Sequence, residues 1–227
     1  MTSSRREFLA TAAASTVMFP AAQAAETPRK FEGIFAIPQT PFTEAGAFDS
    51  ETLGAEIEFL HRAGVQGITW PVNASEQINL TIDERLAGAE TIVRANKKAD
   101  AAKRPSVVIG VHANDIETAV KLTKHADKTG ADAILAIPYK SGVGTTEAQQ
   151  IEYYSAIGAA SSKPFFIQAI GDVSVDLVVK LAKQIPTLRW AKDEAGNTTA
   201  RLIEYRKKEK VLTGVFTGNT APTLSTT

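Results

Sequence analysis

An α/β fold of the barrel type, with about seven parallel strands and no eighth strand–helix unit, is what this sequence predicts, and three observations predict it. From Phe31 onward, short apolar runs alternate with amphipathic stretches. Strict alternation implies parallel strands joined by right-handed helical crossovers, hence a closed barrel or an open doubly wound sheet. The apolar runs are continuous, as in strands covered on both faces. Finally, the turn after the first run, "PQTPFTEAGAF", carries no glycine-rich phosphate motif, and G-x-G-x-x-G occurs nowhere in the chain. The usual mark of a nucleotide-binding doubly wound sheet is missing, which favours the barrel.

The elements follow in order. Strands are expected at 33–39, 67–70, 106–111, 133–138, 164–170, 188–192 and 211–216, with helices at 49–63, 81–99, 116–129, 146–161, 174–185 and 198–209. Asp49-Ser50 precedes the apolar positions Leu53, Ile57 and Leu60, and "TIDE" (81–84) has the spacing of a capping box. Gly64 and Gly130 sit where helices should stop, because glycine accepts the left-handed turn that other residues resist. "SGVG" (141–144) is too short for a phosphate motif and is read as a flexible loop. After the seventh run only "TGNTAPTLSTT" (217–227) remains, whereas one further βαβ return takes about 30 residues. The eighth unit is therefore expected to be missing, with the edges of the first and seventh strands exposed or covered by something else.

Composition narrows the function classes. Of 227 residues, 44% are hydrophobic and 22% charged, an ordinary globular balance with material for a core. Lys+Arg 25 cancels Asp+Glu 25, so no global field attracts a polyanion. The basic runs "RKKEK" (206–210) and "ANKKADAAKR" (95–104) lie at helix ends, where cations oppose the helix dipole, and read as solvated faces rather than a nucleic-acid surface. With no cysteine there is no disulfide, thiolate nucleophile or thiolate metal cage. His61, His112 and His125 lack metal-ligand spacing. His61 and His125 fall in helical patterns, and His112 follows "SVVIGV", where it could face a site.

The N-terminus reads as an address. "SSRREFLATAAASTVMFPAAQAAE" has paired arginines, a short apolar region and small residues at Ala-Gln-Ala, the layout of an export signal. Arg5-Arg6 followed by Glu7, Phe8 and Leu9 resembles the twin-arginine motif. The apolar stretch falls short of the ~20 residues that span a bilayer. The expected organisation is a signal peptide over 1–24, an extension over 25–32, a barrel domain over 33–216 and an irregular tail over 217–227. The expected location is the periplasm, with no membrane association after cleavage.

One residue carries the functional question. Lys192 ends the sixth apolar run in "LRWAKDEAGN" (188–197), just before the chain turns acidic. It is either a snorkelling surface charge or an amine at the carboxyl end of a barrel strand, where barrel chemistry is built. "TPF" (40–42), "NASEQINLTIDER" (73–85), "AIPY" (136–139) and "WAKDEAGN" (190–197) together resemble the dihydrodipicolinate synthase and N-acetylneuraminate lyase family over about Gly33 to Gly214. Members of that family are lysine-dependent aldolases and hydro-lyases on an eight-fold β/α (TIM) barrel. The resemblance places the family's Schiff-base lysine at Lys192. It implies a small keto-acid or sugar-acid substrate, no metal or organic cofactor, and a homo-oligomer, since family members commonly form dimers and tetramers.

Aligned on the same segments, the family's proton relay is altered. Its fifth-strand tyrosine falls at Ile167, its threonine pair at Asn73 and Ala74, and its fourth-strand pair at Tyr139 and Lys140. Isoleucine has no proton to give, whereas asparagine can still hydrogen-bond. The expected catalytic set is therefore Lys192, Tyr139 and Lys140. The expected substrate-binding set is Asn73, Ala74, Ser75, Glu76, Gly196 and Asn197. Standard dihydrodipicolinate synthase activity is not expected. The alternatives are a different keto-acid lyase, an exported non-catalytic homologue that binds a keto acid, or a structural subunit.

Overall fold

The computed structural model describes residues 31–218. Among them, seven strands form one all-parallel sheet in sequential order: β1 (Phe35–Ala36), β2 (Gly67–Trp70), β3 (Ser106–Gly110), β4 (Ala133–Ala136), β5 (Phe165–Ala169), β6 (Leu188–Asp193) and β7 (Gly214–Thr217). Between them lie α1 (Ser50–Ala63), α2 (Ile82–Asn96), α3 (Ile116–Thr129), α4 (Glu147–Ala159), α5 (Val175–Gln184) and α6 (Thr198–Lys207). The sheet curls into an incomplete barrel of the β/α type, as the alternation predicted.

The local signals act as their chemistry requires. Asp49 accepts from the backbone N–H groups of Glu51 and Thr52 at the start of α1. Thr81 and Glu84 form the reciprocal capping box of α2. Gly64 (φ 74°) and Gly130 (φ 94°) end α1 and α3 in the left-handed region. Every residue of β2, β3, β4 and β5 is buried, as continuous apolar runs demand.

Two strands depart from expectation. The first is only two residues long. The Gln66 side chain takes up the N–H of Ile34 at 2.9 Å, and Pro38 has no N–H to offer a ladder. The seventh begins at Gly214 rather than at residue 211. Thr213 N–H bonds the Arg189 carbonyl, and paired register starts only at Trp190↔Gly214.

Two apolar layers separate the faces of the sheet. The larger packs the outer face against the helices and includes Ile68, Trp70, Ile109, Ile134, Phe165, Ile167 and Ala191. The smaller fills the interior: Val72, Val108, Ala133, Leu135 and Phe166, with Phe31, Phe35, Trp190 and Phe216 against them. Phe35 of β1 and Phe216 of β7 meet edge to face at 4.9 Å, and Phe31 contacts Trp190 at 5.0 Å. Aromatic side chains thus bridge the interior between the first and last strands, although β1 and β7 share no ladder. The edges expected to be exposed are tied together on their inner faces.

Candidate active site

Strand alternation determines which residues of β6 look inward. Trp190 packs in the interior layer and Ala191 in the outer one, so Lys192 points inward and Asp193 outward. Register sets the neighbours of Lys192: Gln168 on β5 and Phe216 on β7. The Lys192 side chain is only 13% exposed and its Nζ lies 3.2 Å from Oε1 of Glu194. Gln168 Nε2 donates to the other oxygen, Oε2, of Glu194. Gln168 is 2% exposed, and its own Oε1 is buried without a hydrogen-bond partner.

The end of β7 closes against this pair. A Cβ built at Gly218 would stand 1.8 Å from Glu194 Oε1 and 2.8 Å from Lys192 Cε, so a side chain there would have to displace the ends of both. Gly218 thus lies beside the Lys192–Glu194 pair, whose side chains are 13% and 23% exposed.

On the opposite face Asp193 is fully buried. Its oxygens accept from Arg201 Nε at 2.7 Å, Arg201 Nη2 at 2.8 Å, the Tyr205 hydroxyl at 2.7 Å and Ala195 N–H at 3.1 Å. Burial and then the Asp193 charge push the Tyr205 phenol well above its ordinary pKa. This cluster fastens α6 to the sheet and does not face the interior.

The remaining site residues predicted from sequence each have contacts of their own. Lys140 holds its Nζ 5.3 Å from the Tyr139 ring centre, and Tyr139 stacks on Tyr153 at 5.1 Å. Lys140 lines a cavity of about 320 Å³ with Arg85 and His112, and Lys192 is not in that lining. Ser75 is buried, its hydroxyl closing a turn onto the N–H and carbonyl of Val72. Asn73 and Ala74 are exposed on the same turn, and Glu76 is exposed with Oε2 bonded to Asn79. Asn197 caps α6 by accepting from Ala200 N–H at 2.9 Å, and Gly196 (φ +60°) makes the preceding turn. Glu76, Lys140 and Ser141 all have positive φ without being glycine. Each such residue costs about 1–3 kcal/mol, and residues of this kind gather at functional loops. "SGVG" therefore begins as a strained short turn with Lys140 and Ser141 inside it.

His112 does turn away from solvent. It is 3% exposed, with neither ring nitrogen hydrogen-bonded. Burial first, and the Arg85 charge second, push its pKa down to about 3. Arg85, lowered to about 10 by burial, bonds the carbonyls of His112 and Gly110 at 2.8 and 3.0 Å.

One alignment is corrected. Ile167 does not occupy the fifth-strand relay position, because it is fully buried in the outer, helix-facing layer. The inward neighbour of Lys192 is Gln168, one residue later. Sequence reading missed both Gln168 and Glu194. Two signals were present: a lone polar residue inside "FFIQAI", and a carboxylate two positions beyond Lys192, hence on the same side of an extended strand.

Fold and site together define an incomplete β/α barrel that presents a shielded lysine at the carboxyl ends of its strands. The chain belongs to the dihydrodipicolinate synthetase family, whose sequence profile matches residues 30–227. It is 31% identical over 182 residues to the 4-hydroxy-tetrahydrodipicolinate synthase of Rhizobium meliloti (strain 1021), covering 78% of this chain and 59% of that protein. The dihydrodipicolinate synthase crystal structure from Aquifex aeolicus superposes with a TM-score of 0.75 at 28% identity, over 86% of this chain and 66% of that one. The N-acetylneuraminate lyase structure from Mycoplasma synoviae, at 24% identity and a TM-score of 0.72 over 82% of this chain and 62% of that one, shares the fold. The chain thus spans about three fifths of the length of the curated relatives it matches.

Proposed function

We propose that this chain is a lyase, of the aldolase or hydro-lyase kind, that holds a 2-keto acid or sugar-derived keto acid as an imine on Lys192. The observation that carries the reading is the position of Lys192: inward, 13% exposed, at the carboxyl end of β6 beside Glu194. A neutral amine adds to the C2 carbonyl and water leaves, giving a protonated imine. That imine accepts the electron pair released when a bond at the neighbouring carbon breaks, so neither metal nor organic cofactor is needed for this step.

The substrate-binding roles expected of Asn73, Ala74 and Glu76 fit their exposure on the loop after β2. Ser75 and Asn197 support the reading only as scaffold, through the turn and the cap they make. The non-catalytic, keto-acid-binding alternative draws on one observation: the inward residue of β5 beside Lys192 is an amide, Gln168, which carries no titratable proton.

Borohydride reduction in the presence of pyruvate, followed by intact mass, is the test. The full chain should gain one reduced pyruvyl adduct. Adduct formation that persists undiminished in Lys192→Ala would move the chemistry to another amine, Lys140 first. The export reading rests on Arg5 and Arg6, which lie outside the described residues. We propose periplasmic delivery by the twin-arginine route, and normal periplasmic accumulation after both arginines are replaced by lysine would refute it.

A further inference from the structure

We infer that Glu194 is the general base and acid of the Lys192 imine, taking a proton from the carbon next to the imine and returning it, with Gln168 as its positioning residue. The inference rests on the imine reading above and adds the group that moves the proton.

Three observations lead to it. Glu194 Oε1 lies 3.2 Å from Lys192 Nζ, the atom that becomes the imine nitrogen. C3 of a bound keto acid is two bonds from that nitrogen, so a carboxylate in contact with Nζ is within reach of the proton on C3. Gln168 then clamps Oε2 with its Nε2, and this directs Oε1 towards the amine. The clamp leaves Gln168 Oε1 buried and without a partner beside the same pair. A buried acceptor with no donor calls for one, and a substrate hydroxyl would supply it. Finally, the pair is only partly shielded, its side chains 13% and 23% exposed, so the proton that Glu194 takes from carbon can exchange with solvent before it is returned.

The step balances without an outside reagent. Glu194 carboxylate accepts the C3 proton, the C3–H pair becomes the C2=C3 bond of an enamine, and the imine nitrogen gains the C2=N pair. Reprotonation by the Glu194 acid reverses it. The transfer uses neither Tyr139, which stacks on Tyr153, nor Lys140, which lines a cavity with Arg85 and His112.

Deuterium incorporation at C3 of pyruvate in D2O, followed by NMR with the full chain, reads the transfer directly, and borohydride trapping reads imine formation beside it. Glu194→Gln should still trap pyruvate after prolonged incubation but exchange C3 about 10²–10⁴-fold more slowly, the usual contribution of such a group. Glu194→Asp, which keeps the acid one methylene back, should recover part of the exchange rate that Glu194→Gln loses. If Glu194→Gln fails to fold, Glu194→Ala is measured in its place, and exchange there at the unmodified rate overturns the role. An unmodified chain that traps pyruvate without exchanging C3 overturns this inference and leaves the imine standing, as does exchange at the unmodified rate in Glu194→Gln. Failure of the unmodified chain to trap pyruvate overturns the imine itself, and this inference with it.

Discussion

The two faces of β6 carry charges one residue apart in different company. On the helix side, Asp193 is fully buried and both its oxygens are taken up by Arg201, Tyr205 and a backbone N–H. On the interior side, Lys192 and Glu194 hold each other at 3.2 Å, and beside them Gln168 Oε1 is buried without a donor. A saturated polar cluster is a fastening, because every group has exchanged water for a fixed partner and nothing remains for a ligand to satisfy. An incompletely satisfied cluster in a shielded interior has capacity left over. The degree of saturation distinguishes the two clusters, whereas the residue types alone do not.

The largest effect should come from Lys192→Ala, with complete loss of borohydride trapping. Its unfolding transition in denaturant should move far less than that of the next variant, because the interior pair fastens no helix. Asp193→Ala should be the reverse. Removing one partner of a buried, hydrogen-bonded pair typically costs about 3–5 kcal/mol, here by leaving Arg201 and Tyr205 without their acceptor. Equilibrium unfolding would show it, and a cost under about 1 kcal/mol would place Asp193 with ordinary surface pairs and dissolve the contrast.

A smaller effect sharpens the comparison at the other cavity. His112, pushed from 6.5 down to about 3 in the folded chain, is neutral when folded and takes up a proton more readily when unfolded. Its contribution to stability is whole above pH 6.5 and is lost as pH falls from there towards 3, so stability rises with pH across that window. His112→Leu should flatten the acid limb by up to about 1.4 kcal/mol per pH unit. Parallel acid limbs in the two proteins would mean that His112 is not held neutral. The smallest effect belongs to the α6 cap, where Asn197→Ala should cost about 1 kcal/mol in unfolding experiments. A loss of pyruvate trapping beyond what that destabilisation explains would return Asn197 to the substrate-binding set.

Much of this molecule was legible because its signals are local. Thr81-x-x-Glu84, Asp49 and the glycines at 64 and 130 act within a turn of themselves, and each capped or ended the helix expected of it. The position of Lys192 near the carboxyl end of the sixth strand, one residue before its last, was equally local, since an apolar run and the residue that closes it are adjacent in the chain. The interior was not legible in this way. Ile167 and Gln168 are neighbours, and a shift of one residue in alignment exchanges the helix-facing side of β5 for the barrel interior.

The sequence by itself determined the alternation of strands and helices, the ends of most helices and the identity of the one lysine worth testing. Only the tertiary structure decided that Gln168 and Phe216 flank that lysine, that Lys140 lines a cavity with Arg85 and His112, and that Glu194 is the carboxylate in contact with the amine. The division has a physical cause. Caps and runs are settled by atoms a few bonds apart, whereas contact across a curled sheet depends on the pairing register of strands that are far apart in sequence and on which face each side chain takes.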